Sequence, residues 1–101
     1  MATLRFKKGV THSFSDGWQN NMYYVYLLKL KNNSIYTGST PDLERRIKEH
    51  NSGLNKSTKH LIPVELIWSC IFPNRLIARR FEKYLKSGSG QAFRNRHLIL
   101  R

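Results

Sequence analysis

Glu82 is the only carboxylate between Leu66 and Arg101, where it stands among Arg75, Arg79, Arg80, Lys83, Lys86, Arg94, Arg96 and Arg101. An acid in that setting has two uses. It can pair with Lys86 four residues on, a surface contact worth about 0.2–0.5 kcal/mol, or it can hold a hard cation such as Mg²⁺, which takes oxygen ligands and keeps several waters beside one or two carboxylates. Arg46 and His50 are also four residues apart, the spacing that sets two side chains on one helix face. Their ordinary roles would be a solvated cation and a satisfied half-buried imidazole. Tyr26 and Tyr36 are by default strand-packing residues. A phenol with a reference pKa of about 10 becomes a base near neutrality only if neighbouring positive charge lowers it, and Arg46, His50 and a metal ion are the groups that would do so.

The elements that must carry these groups are legible in outline. Tyr23 to Leu30 is rich in aromatic and branched residues, Lys31-Asn32-Asn33-Ser34 is a turn, and Ile35-Tyr36-Thr37-Gly38 is a second strand, which together predict a β-hairpin. Both faces of the first strand are apolar, so helices should cover it. Gly38 ends the second strand where the backbone must bend or admit a ligand closely. Thr40 reads as an N-cap and Pro41 as the first helical residue, with Gly53 beyond the helix end. Within it Leu43, Ile47 and His50 form one stripe that Arg46 joins. Leu54 to His60 reads as a mobile basic loop suited to phosphates. A third strand is expected over 64–72, with Leu66, Trp68, Cys70 and Phe72 alternating against Glu65, Ile67, Ser69 and Ile71, then a helix over 75–86 and a short one over 91–98. The order is β-β-α-β-α(-α), an α/β (α+β) chain.

Length and charge bound the rest. At 101 residues the chain has room for one core. Its 18 basic and 6 acidic side chains give 18 − 6 = +12, and residues 22–101 alone keep 15 − 5 = +10. Polyanions are the natural partners, nucleic acid ahead of an anionic membrane surface. Residues 1–21 read as a flexible extension and 22–101 as the domain. Neither a transmembrane run nor the apolar stretch of a signal peptide is found, so the expected compartment is the cytoplasm. The single cysteine, Cys70, reads as a buried, inert thiol.

Tyr24-Val25-Tyr26, then Tyr36-Thr37-Gly38, then Arg46 ten residues past Tyr36 and His50 four further on, with Glu82 downstream, together resemble the GIY-YIG endonuclease domain. The resemblance covers about residues 22–90 and looks closest to small stand-alone bacterial proteins similar to the N-terminal nuclease domain of the excision-repair protein UvrC. Segments such as Asp42-Leu43-Glu44-Arg45-Arg46 and Arg79-Arg80-Phe81-Glu82-Lys83 are familiar there. Tyr24 stands where the family name has Gly, and Thr37 where it has Ile.

The resemblance implies a three-stranded antiparallel sheet flanked by helices and hydrolysis of a DNA phosphodiester with one divalent metal, Mg²⁺ or Mn²⁺. Glu82 would be the metal ligand, Arg46 the cation on the scissile phosphate, and Tyr26 and Tyr36 the two motif tyrosines; members differ in which of these activates the water, and here Tyr26 is favoured. Tyr36 would contact the phosphate or a metal-held water, and His50 would assist proton transfer or orient a tyrosine. Ser39 takes a position that is Lys in some members, so that cation would be missing or supplied by Lys56 or Lys59. Asn95 is the candidate for a C-terminal Asn of some relatives. Expected nucleic-acid contacts are Ser39, Arg45, Lys56, Lys59, Arg79 and Lys83. The expected activity is a weakly sequence-specific or structure-directed DNA endonuclease, used in repair or recombination. The alternative is a basic nucleic-acid-binding module with the same fold and little or no autonomous catalysis.

Overall fold

The computed structural model describes residues 22–99 and the backbone of residues 2 and 3. β1 (Ala2–Thr3) is followed by β2 (Tyr23–Lys29), β3 (Ile35–Thr40), α1 (Leu43–Asn51), β4 (Glu65–Phe72), α2 (Arg75–Lys86) and α3 (Gly88–Phe93), which runs into a π-helical turn, Arg94–Leu98. The expected three antiparallel strands are there, with β2 between β3 and β4. Ala2 and Thr3 add a short parallel pairing to the outer side of β4. The rest of the expected extension, residues 4–21, lies outside the described residues.

The hairpin closes as its turn residues predict. Asn33 adopts the left-handed conformation at φ 70°, and the Leu30 N–H donates to the Ser34 carbonyl at 2.9 Å. Val25 and Leu27 then point to one sheet face and Tyr24, Tyr26 and Leu28 to the other. On the first face they pack with Trp68, Ala78 and Leu85, beneath α2. On the second, Tyr26, Leu28 and Leu30 pack with Leu43 and Val64, beneath α1 and the segment that follows it. Burying each such side chain contributes about 1.5–3 kcal/mol, so both faces hold the sheet.

Three expectations are corrected in detail. Leu28 pairs with Leu66 while Leu27 pairs with Trp68, so Ile67 is the extra residue of a β-bulge. The bulge turns Leu66 to the α1 face and leaves Trp68 on the α2 face, breaking the simple alternation. Second, α1 starts two residues late. β3 retains Thr40 as the partner of Tyr24, and Thr40 Oγ1 accepts from the Asp42 N–H at 3.1 Å. Asp42 is the cap instead, accepting from the Arg45 N–H at 3.1 Å. Third, the last helix begins at Gly88 rather than Gln91, because Ser87 Oγ accepts from the Gly90 N–H at 3.1 Å and so caps it early.

Candidate active site

Tyr26, Tyr36 and His50 meet on the α1 face of the sheet. Tyr26 is 1% exposed and His50 fully buried, with Tyr26 Oη 3.1 Å from His50 Nε2. His50 Nδ1 is in turn 2.8 Å from Thr58 Oγ1, so three buried polar groups form one hydrogen-bonded chain. Tyr36 is half-buried and sets its ring edge-on to His50 at a centroid separation of 5.0 Å. Gly38 makes room for this arrangement. A Cβ there would stand 2.5 Å from Tyr26 Oη and 2.6 Å from Cζ, so the strand must be bare where the tyrosine crosses it. The close approach to Gly38 is made by this side chain.

Thr58 is the group that sequence reasoning missed. It sits in the stretch expected to be a mobile loop, but the segment is built from turns. The Thr58 and Lys59 N–H groups both donate to the Asn55 carbonyl, and the Leu61 N–H donates to the Thr58 carbonyl at 2.8 Å. Asn51 Oδ1 clamps the far end by accepting from the Val64 N–H at 2.7 Å. These bonds carry a fully buried Thr58 to the imidazole, leaving Lys56 and Lys59 exposed on the same segment. A Thr in a run of Lys, Ser and His carries no mark of burial, and only the helix beside it supplies the partner.

Arg46 lies half-buried on α1, as its stripe predicts, and its charge acts on both Tyr26 and His50. Its Nε is 3.3 Å from Glu49 Oε1, in a geometry too bent for a hydrogen bond, so among the described residues the buried Nε–H has no acceptor. Arg45, one residue away, is exposed and lies between Asp42 and Glu49 at 3.9 and 3.8 Å.

Glu82 approaches from the other side. Ser39 pairs with Val25 and so points to the α2 face, where its Oγ donates to Glu82 Oε1 at 2.6 Å. Lys86 Nζ donates to Oε2 at 2.9 Å, and Arg79 Nε is 3.7 Å from Oε1. The Lys86 pairing expected of a plain surface acid is therefore present. Lys86 is 56% exposed while the Glu82 side chain is only 15% exposed, so the contact adds little stability and the carboxylate is the sheltered partner. Arg79, Glu82, Lys83 and Lys86 line an open depression of about 350 Å³. The site thus draws on both faces of the sheet across edge strand β3, with Glu82 near enough for its charge to act on Tyr26.

The electrostatics correct one expectation. Burial, followed by Tyr36, holds the Tyr26 phenol far above its usual range, and the opposing effect of Arg46 is smaller. The cations of the chain do not by themselves make Tyr26 a base. Burial, then Arg46, lowers the His50 pKa from 6.5, favouring a neutral imidazole.

That lowering has a sign that can be tested. A histidine whose folded pKa is depressed binds fewer protons folded than unfolded, so stability falls as pH drops through the unfolded value of about 6.5 and levels off below the folded one. Thermal melts at about pH 8 and about pH 5 should therefore show the Tm advantage of wild type over His50→Gln shrinking in acid. A constant or growing advantage would contradict a neutral buried imidazole.

The donor chemistry fits a hard divalent cation. Among the described residues no group of three or more His, Cys, Asp or Glu side chains gathers, which argues against zinc-like ligation. A lone sheltered carboxylate beside an open depression suits an ion that keeps most of its waters, provided Lys86 swings off Oε2. Among the described residues, no helix is long and apolar enough to cross a membrane.

Residues 22–96 match the GIY-YIG catalytic domain. The chain is 47% identical over 66 residues to a UPF0213 protein of Clostridium perfringens, covering 64% of this chain and 71% of that one. It is 42% identical over 69 residues to the UPF0213 protein YazA of Bacillus subtilis, covering 67% and 70%. A solution NMR structure of a UPF0213 protein from Bacillus halodurans is 39% identical, covers 71% of this chain and 80% of that one, and superposes with a TM-score of 0.46.

Proposed function

Because the chain belongs to the GIY-YIG family, we propose that it is a divalent-metal-dependent DNA endonuclease, weakly sequence-specific or structure-directed, serving DNA repair or recombination. The observation that carries this reading is the buried chain from Tyr26 through His50 to Thr58, set beside Arg46. With Nδ1–H donated to Thr58 Oγ1, His50 Nε2 is an acceptor facing the tyrosine. A water that gives a proton to Tyr26 Oη therefore has an onward path, since the tyrosine's own proton passes to Nε2.

Arg46 presents its guanidinium, half-buried on α1, to the scissile phosphate. Burial is the larger cause of the lowered His50 pKa, and the phosphate's negative charge beside Arg46 offsets the smaller share due to that cation, so substrate makes the imidazole a better base. Tyr36, the more exposed tyrosine, contacts the phosphate. Glu82 would hold the cation, Mg²⁺ or Mn²⁺, which when bound supplies positive charge to the phosphate and leaving oxygens. Arg79 and Lys83 flank Glu82, and Lys56 and Lys59 project from the Thr58 segment; these four neutralise flanking phosphates. Ser39 acts on Glu82 rather than on the nucleic acid.

The competing reading, a basic nucleic-acid-binding module without turnover, draws on the engagement of Glu82 by Ser39 and Lys86. A panel of labelled linear duplex, single strand, flap, branched junction and an RNA control separates the two, with Mg²⁺ or Mn²⁺ against EDTA. Metal-dependent cleavage of a DNA form is expected. Retardation of the same DNAs without cleavage of any would move the assignment to the binding module.

A further inference from the structure

On the opposite flank of α2 from Glu82 lies a second feature that the nuclease chemistry does not use. Tyr84 is 41% exposed and Phe93 36% exposed, with ring centroids 6.1 Å apart, and His97 lies against Phe93 at 4.9 Å. Behind them Tyr84 contacts Phe81 at 6.1 Å, and Phe81 packs on Trp68 and Phe72 in the core at 6.2 and 5.4 Å. The outer rings are thus backed by fixed ones.

Gly90 sets the pair. A Cβ at Gly90 would run into the Tyr84 carbonyl oxygen and stand 2.8 Å from Leu85 Cα. Only a glycine lets α3 close on the end of α2 and bring Phe93 beside Tyr84. The chain then passes directly into the π-helical turn that carries His97, an uncommon local geometry that recurs at functional sites.

The surroundings identify the occupant. Arg80 lies one turn before Tyr84 on α2 and Arg96 three residues after Phe93, both exposed, and no acid follows Glu82 in the sequence. Exposed rings among cations are what unpaired nucleobases need: a π-face for the base and a positive charge for the phosphate. A second copy of this chain would set Arg80 and Arg96 against the same charges. From Glu82 to Tyr84 is about 200° around the helix, and Arg79, Lys83 and Arg80 fill that outward arc in sequence. A strand crossing α2 from the depression at Glu82 would follow this cationic ridge to the rings.

We propose that Tyr84 and Phe93 form a stacking platform for unpaired bases, so that a single-stranded segment contiguous with the cleaved phosphate is a ligand of this chain. This deepens the nuclease reading above by naming a substrate class, DNA with a single-stranded portion. Its test does not depend on cleavage.

Fluorescence anisotropy with a labelled oligo-dT in EDTA measures the platform alone. Tyr84→Ala and Phe93→Ala should each weaken binding about tenfold with the salt dependence unchanged, whereas Tyr84→Phe should bind like wild type. Arg80→Ala should instead lower the slope of log affinity against log salt by about 0.7. Gly90→Ala should resemble Phe93→Ala. Thermal melts establish that each variant compared is folded, and the exposed Tyr84 pair remains informative if Gly90→Ala is not. Unchanged oligo-dT affinity in folded Tyr84→Ala and Phe93→Ala would overturn the proposal. So would unchanged affinity accompanied by loss of self-association in sedimentation, which would make the rings a protein interface. Oligo-dT binding that needs the rings, in a chain that cleaves nothing, would sink the nuclease reading and leave the platform standing.

Discussion

Tyr26→Phe is expected to lower kcat by about 10²–10⁴-fold, the range for losing a positioned acid–base group, while duplex binding stays within twofold. The substitution removes only the oxygen that lies 3.1 Å from His50 Nε2. The ring keeps its place among Leu28, Leu30 and Leu43, so the variant folds and the effect falls on chemistry. Tyr36→Phe serves as the comparison. Tyr36 packs its ring on His50, and losing its hydroxyl should cost less in kcat and more in KM. Single-turnover cleavage of the preferred substrate, with gel-shift affinity in parallel, reads both. A larger kcat loss in Tyr36→Phe than in Tyr26→Phe would exchange the two roles.

Glu82→Gln should remove about 10³-fold of metal-dependent cleavage, which corresponds to about 4 kcal/mol of transition-state stabilisation. The glutamine keeps the shape of the side chain and an oxygen for Ser39, so the fold is preserved. Duplex affinity should hold or rise slightly, because the net charge goes from +12 to one unit more. Raising Mg²⁺ or Mn²⁺ should rescue little, since the charged ligand itself is gone. Lys86→Met isolates the other influence on the carboxylate. Freed of the ammonium at 2.9 Å from Oε2, Glu82 should take the metal at a lower concentration. If Glu82→Gln cleaved at the wild-type rate, the carboxylate would be a structural anchor for Ser39 and nothing more.

What was legible in the sequence was local. The hairpin, its Asn33 turn and the bounds of α2 follow from residues near one another in the chain, and so does the shared face of Arg46 and His50. What was not legible depended on partners distant in sequence. The alternation through β4 gives no sign that Ile67 is a bulge, because the extra residue exists only relative to β2. Thr40 looked like a helix cap because nothing local says that Tyr24 would keep it in the sheet. Thr58 looked like loop until His50 was brought to it, and nothing near Ser39 in the chain announces its bond to Glu82. The helix face shared by Arg46 and His50 and the strand positions of Tyr26 and Tyr36 were thus readable from spacing and type. Their ionisation was not, since burial outweighs Arg46 in the environment of Tyr26.

The crossing of Tyr26 over Gly38 ties two positions of the protein together as a single inheritable choice. A methyl at 38 would collide with the ring carbon Cζ at 2.6 Å as well as with the oxygen at 2.5 Å. Phenylalanine at 26 therefore would not rescue alanine at 38, although it removes the hydroxyl. Only a much smaller side chain at 26 would, and that change also gives up the proton path. Filling the space at 38 therefore requires the ring at 26 to move or shrink, so the two positions change together.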